Sequence, residues 1–140
     1  MSDENKRLAR RALEEIYAKG DLDMLDELVH PEFLNHEPAH PDLPIGPESV
    51  RQTVEGLHGT FSDLRFEVHQ EVAEGDRVVQ LVTMSGRQTG PMMGRPPTGK
   101  AFSARHTHIW RVADGRLAEH WGVRDDLRLL EQLGLFPGWS

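Results

Sequence analysis

Between Phe66 and Val123 the apolar residues mostly fall on every second position. The pattern breaks at Glu74-Gly75-Asp76, at a stretch rich in Gly and Pro from Gly90 to Gly99, and at Asp114-Gly115. Such alternation makes strands with one apolar face, and tight turns of the Asp-Gly type join them as antiparallel hairpins. The expected strands run from Phe66 to Val72, Val78 to Thr89, Phe102 to Val112, and from Asp114-Gly115 through Val123. A sheet of this kind needs cover on one face.

The cover comes first in the chain. Leu8, Ala12, Leu13, Ile16 and Tyr17 form the stripe of an amphipathic helix that Ser2 or Asp3 can cap and Gly20 ends. Asp21 can cap a second helix with Leu22, Leu25, Leu28 and Val29 inward, closed by His30-Pro31. Prolines then break the chain into a rim loop, apart from a brief strand at Phe33-Leu34. Pro47 opens a third helix through Val50, Val54, Leu57 and His58. Past the last strand, Asp125 or Asp126 can cap a short helix with Leu127, Leu130 and Leu133 inward, followed by a tail with Phe136 and Trp139. Helices, then long strands, then one helix define an α+β fold: a cone in which N-terminal helices pack on a strongly curved, mostly antiparallel sheet around a pocket. Its 140 residues fit one domain, 1–140.

Charge and composition narrow the function. The formal net charge is −7 and no basic cluster interrupts it, so the footprint of a nucleic-acid binder is missing. Cysteine is absent, which removes disulfides, thiolate nucleophiles and Cys-ligated zinc. No run approaches the length of a membrane span and the first residues lack an apolar signal stretch, so the expected location is the cytoplasm.

Eight histidines stand out, and three fall on matching parities of the last two strands. Phe102, Ala104, His106, His108 and Trp110 share one face, and His120 shares one with Ala118 and Gly122. If the register brings His108 near His120, imidazoles line an apolar surface and can exchange protons near neutral pH. The bland reading has these histidines bonding neighbouring strands on a solvated face. His106, His108, His120 and His36 also invite a metal reading, but nothing fixes a third ligand, and no metal or cofactor is expected. Asn35 and His36 stand at the rim, and Trp110, Phe66 and Met92 offer apolar wall.

The stretch from Gly90 to Lys100, Phe102-Ser103, and Asp114-Gly115-Arg116-Leu117-Ala118-Glu119-His120-Trp121 resembles the SnoaL-like polyketide cyclases. The likeness continues through Asp125 and Leu130 to Gly134, and at the front through Gly20 to Asp23 and His30 to His36. It implies the cone shared with nuclear transport factor 2 and ketosteroid isomerase. It also implies cofactor-independent acid–base ring closure, aldol-type or related, on a hydrophobic carbonyl-bearing polyketide intermediate. Carried over by position, His108 matches a pocket histidine, His120 and Asp125 the recurrent His and Asp around the last strand, and Asn35 a rim residue. The family's catalytic aspartate falls on Gly122. On this reading His120 replaces the base, Asp125 takes the role, or the pocket guides closure by shape.

The resemblance therefore nominates His120, His108 and Asp125 as catalytic and Asn35, His36, His106, Trp110, Phe66 and Met92 as substrate-binding. A histidine base would titrate near pH 6–7. The alternatives are a non-catalytic small-molecule binder on the same fold, and an epoxide hydrolase or isomerase-like relative. Apolar residues on both faces of Val78 to Val82 point to a homodimer.

Overall fold

The computed structural model describes residues 2–38 and 42–136; Trp139 lies outside them. Helix α1, Ser2–Arg11, carries Asp3 and Glu4 within its first turn and runs directly into a π-helical segment, Ala12–Ala18. Bonding five residues back continues to Lys19 N–H, which reaches the Glu14 carbonyl at 3.1 Å. Gly20, at φ +73°, then closes the helix, with Asp21 N–H returning to the Glu15 carbonyl at 2.9 Å. Ala9, Ala12, Leu13 and Ile16 are buried, the face that the stripe anticipates.

Asp21 caps a 3₁₀ turn, Leu22–Met24, by accepting the Asp23 N–H, and helix α2, Leu25–Leu28, follows. This helix stops before Val29, which instead opens strand β1, Val29–Asn35. Proline is tolerated there because β1 is an edge strand, pairing only with the final strand and in parallel. Helix α3, Pro47–Thr60, buries Val50 and Val54.

Strand β2, Phe61–Glu74, starts five residues earlier than alternation suggests. Its register with β3, Arg77–Gln88, slips between Ser62 and Arg65 and again between Val68 and Gln70. Asp63 takes φ +55° at the first slip. Bulges of this kind break the period of two and bend the strand, which curves the sheet over the helices. Strands β4, Ala101–Ala113, and β5, Arg116–Arg124, meet through Asp114 and Gly115, both with positive φ, as a twist-matched hairpin requires. The spatial order is β1-β5-β4-β3-β2, curved and not closed.

Between β4 and β5 lies one more bulge. Ala113 pairs with Arg116 and Val112 with Leu117, but Arg111 pairs with Glu119, so Ala118 is surplus and both Leu117 and Ala118 are buried. Beyond it, Trp110 faces His120, His108 faces Gly122, and His106 faces Arg124.

Helix α4, Asp126–Gln132, is capped by Asp125, whose carboxylate accepts the Arg128 N–H at 3.2 Å. Of Leu127, Leu130 and Leu133, expected inward, Leu133 is fully buried and Leu130 half-buried, whereas Leu127 is 48% exposed and Leu129 takes the place in the core. Two apolar clusters result. One joins the N-terminal helices to Val78, Val82, Trp110 and Leu117, and the other joins Phe61, Leu64, Met84, Phe102 and Ala104 to α4. Along β4, His106 and His108 fall between Ala104 of one cluster and Trp110 of the other.

The phase of α4 gives a paired test by urea unfolding. Leu133→Ala should cost about 2–5 kcal/mol, as for a fully enclosed leucine, whereas Leu127→Ala should change stability by less than about 0.5 kcal/mol. Equal losses would mean that α4 is rotated from this packing.

Candidate active site

Three β4 side chains, His106, His108 and Trp110, and two on β5, His120 and Arg124, form one wall of a cavity of about 110 Å³. Leu13 and Tyr17 of the π-helical segment, Thr53 and Leu57 of α3, Phe66, Met84, Asn35 and Glu37 complete it. An adjoining groove of about 380 Å³, lined by Met92, Leu43, Gln52 and Phe61, shares the walls Thr53 and Leu57.

Gly122 makes the imidazole pair possible. His108 Nδ1 and His120 Nε2 lie 2.8 Å apart. A Cβ at position 122 would stand 2.9 Å from His120 Cε1 and 3.5 Å from His108 Nδ1. Any side chain there would push against the rings. Glycine leaves the space in which His108 reaches diagonally across the strand pair to His120.

The hydrogen-bond chain fixes which nitrogen carries each proton. Asn35 Oδ1 accepts the Glu37 backbone N–H at 3.0 Å, which only a carbonyl oxygen can do. The same oxygen lies 2.8 Å from His120 Nδ1, so that nitrogen is the donor. His120 Nε2 is then the acceptor and His108 Nδ1 its donor. The remaining lone pair of the chain is on His108 Nε2, which is buried without a hydrogen-bond partner among the described residues, as is His106 Nδ1. Buried polar atoms left unpaired are uncommon and mark a place for a ligand or catalytic contact.

Trp110 is held from the opposite side. Its indole N–H donates to Gln80 Oε1 at 2.9 Å, Gln80 Nε2 donates to Glu71 at 2.9 Å, and Glu71 accepts from Arg10 at 2.6 Å. Gln80 is fully buried. This line of bonds fixes the indole against His120, with ring centroids 4.5 Å apart, and against His108 at 5.8 Å.

Burial keeps all three imidazoles neutral. Desolvation, aided by the Arg124 charge, lowers His106 to about 4. His120 falls to about 3 for the same two leading reasons, and His108 is held well below its ordinary value by burial and then by the other two histidines. Titration near pH 6–7, expected for a histidine in water, is therefore displaced to lower pH. Burial also pushes the Tyr17 phenol up, so it stays protonated as a donor.

His106, His108, His120, Asn35, Trp110 and Phe66 thus share one cavity, and Met92 lines the adjoining groove. Asp125 and His36 stand elsewhere. The Asp125 side chain is exposed and occupied as a helix cap, since it follows β5 directly and the first free N–H groups of α4 lie closest to it. His36 turns to the outer side, where its ring stacks on Trp121 at 4.6 Å and its Nε2 meets Glu119 at 2.6 Å. Arg124, Tyr17, Thr53 and Gln80 were not anticipated. Arg124 shares the parity of His120 and Gly122, a signal present in the sequence, while Gln80 sits inside an apolar strand whose partner Trp110 is thirty positions away.

The sequence profile of the SnoaL-like polyketide cyclases matches residues 7–133. The nogalonic acid methyl ester cyclase of Streptomyces nogalater is 33% identical over 116 residues, 82% of this chain and 87% of its own. The aklanonic acid methyl ester cyclase DnrD of Streptomyces peucetius is 34% identical over 130 residues, 89% of this chain and 87% of its own. TsrD from Streptomyces laurentii superposes with a TM-score of 0.87 at 34% identity, covering 97% of this chain and 98% of its own.

Neutral buried imidazoles make stability depend on pH with a definite sign. On unfolding they take protons below about pH 6.5, while in the folded protein they resist doing so. Their contribution is complete above pH 6.5 and is lost as pH falls toward the lowered folded values, at up to about 4 kcal/mol per pH unit for three groups. Urea unfolding should show near-constant stability from pH 8 to 7 and a steep decline between pH 6 and 4.5. Constant stability down to pH 5 would mean that the imidazoles protonate freely in place.

Proposed function

This chain belongs to the SnoaL-like polyketide cyclase family, and from that premise we propose that it closes a ring on a hydrophobic, carbonyl-bearing polyketide intermediate with His108 Nε2 as the base. The observation that supports this most is the unpartnered Nε2 lone pair of His108, at the end of a hydrogen-bond chain that begins at the Asn35 amide.

In this mechanism Nε2 removes the proton beside a substrate carbonyl, and the electron pair of the broken C–H bond moves into an enolate. The enolate carbon forms the new C–C bond at a second carbonyl, whose oxygen takes the proton back from His108. Proton inventory and electrons balance without a further reactant. A base with a lowered pKa suits this step because it is unprotonated when substrate arrives. Its proton affinity then rises as negative charge develops beside it. Imidazolium at His108 is supported through Nδ1–H, which continues to donate to His120 while His120 donates to Asn35. Tyr17 supplies a neutral donor for enolate oxygen, and Trp110 packs against both rings and limits their rotation.

The polyketide class is the substrate class, and the methyl esters named for the relatives, with their free acids, are the first compounds to assay. In place of the departed carboxylate at Gly122, the reading uses His108 as base and leaves His120 as its orienting partner. We further place one domain in residues 1–140, a cytoplasmic location, and a homodimer. Supporting the last, the outer sheet face carries an apolar row across four strands, Val72, Val79, Ile109 and Trp121, joined by direct cross-strand pairing.

Product analysis by mass spectrometry and NMR should show cyclised ketone with the wild-type protein. His108→Ala should lower kcat by roughly two to four orders of magnitude with the fold retained. Asn35→Leu should lower it by roughly tenfold to a hundredfold, because His120 loses the acceptor that fixes its tautomer. The rate should stay level from pH 8 to 6 and fall only well below pH 6.5. A fully active His108→Ala removes this base, and tight binding of unchanged ligand makes the protein a carrier.

Light scattering at micromolar concentration should give twice the mass of one chain, and Val79→Lys on the outer row should give one chain. A wild-type monomer would refute the dimer.

A further inference from the structure

Arg124 is the one cation among the described residues lining the cavity. It lies on the inner face of β5, directly opposite His106 and two residues beyond the open space at Gly122. Its contacts with described residues are long. Nη1 lies 3.5 Å from the Glu37 carbonyl, and Nε lies 3.7 Å from Asp126, whose side chain is 59% exposed. Exposed pairs at such distances contribute little. A guanidinium carries five N–H donors in a planar fork, so most of this capacity remains for a ligand at the cavity mouth.

The surroundings favour one kind of ligand. All three imidazoles beside Arg124 are neutral, and its charge is among the causes that keep them so. The inner wall therefore presents a positive charge whose one carboxylate neighbour within 4 Å among the described residues is Asp126, at 3.7 Å and 59% exposed. Glu37 also lines the mouth, and the group of it that Nη1 meets is the backbone carbonyl. A planar carboxylate matches the fork with two parallel charge-assisted hydrogen bonds.

We propose that this cavity takes its substrate as the free carboxylate, with Arg124 as the group that holds it. The assignment rests on the cyclase reading of the same cavity and specifies its substrate class. His106, opposite Arg124, and His108 are two residues apart on β4, roughly 7 Å along a strand. That backbone spacing is on the scale of one fused ring carrying a substituent. A carboxylate on the fork sets apart the relatives named as methyl ester cyclases, since an ester offers the guanidinium neither charge nor two equivalent oxygens.

Isothermal titration calorimetry with 6-acetyl-2-naphthoate and its methyl ester tests this without turnover. The wild-type protein should bind the acid at least roughly tenfold more tightly than the ester, and added salt should narrow the gap. Arg124→Gln should weaken the acid roughly tenfold to a hundredfold, leave the ester within about twofold, and melt at the wild-type temperature. Arg124→Lys, which keeps the charge without the fork, should fall between. Equal binding of acid and ester, or acid binding unchanged in Arg124→Gln, overturns the anchor. If His108→Ala still abolishes ring closure in that case, the base assignment stands alone. Failure of both probes to bind the wild-type protein counts against the cavity itself and overturns both.

Discussion

The pairing of β4 with β5 carries one residue too many on the β5 side, and Ala118 absorbs it. Had the hairpin run on without a bulge, the pairing set at Ala113 and Arg116 would place His120 opposite Ile109, on the outer face. Trp121 would stand opposite His108, inside. The extra residue turns every later side chain of β5 over. His120, Gly122 and Arg124 therefore meet Trp110, His108 and His106 across the inner wall, and the cavity chemistry is a consequence of that one slip.

Once the register is set, electrostatics follows from burial. Three imidazoles in an apolar wall cannot readily hold charge; two of them, His108 and His120, are wired as neutral donor and acceptor, and the wiring has a direction because the Asn35 oxygen is pinned by a backbone N–H. Charge is confined to the edges: Arg124 at the mouth, and Arg10 with Glu71 at the far end of the bonds that hold Trp110. Polar groups this deep are costly unless satisfied; both nitrogens of His120 and Nδ1 of His108 are hydrogen-bonded, whereas His108 Nε2 and His106 Nδ1 are buried without a partner among the described residues.

Much of this was legible beforehand, unevenly. Alternation and the Asp-Gly turn located β3, β4 and β5 closely and placed His106, His108 and Trp110 on one face, because period-two patterning survives wherever a strand is regular. It failed at the start of β2, where a bulge between Ser62 and Arg65 and a left-handed Asp63 scramble the alternation. Parity put His120 on a face with Gly122 but did not say which face, since that depended on Ala118. The face of α4 is legible at Leu133 and not at Leu127, because Leu127, Leu129, Leu130 and Leu133 fit two overlapping helical faces that share Leu133. His36 read as a rim ligand beside Asn35, yet adjacent residues of a strand point to opposite sides. Asn35 goes in and His36 goes out.

That opposition has a mechanical consequence. At the end of β1 the chain is stitched to β5 through both faces of the sheet: Asn35 to His120 inside, and His36 to Glu119 and Trp121 outside, with Arg77 resting over the same indole at 4.8 Å. Edge strands ordinarily fray from their ends. Here the edge is riveted at the one point where fraying would release the Asn35 amide, so the seam beside the imidazole pair resists thermal opening.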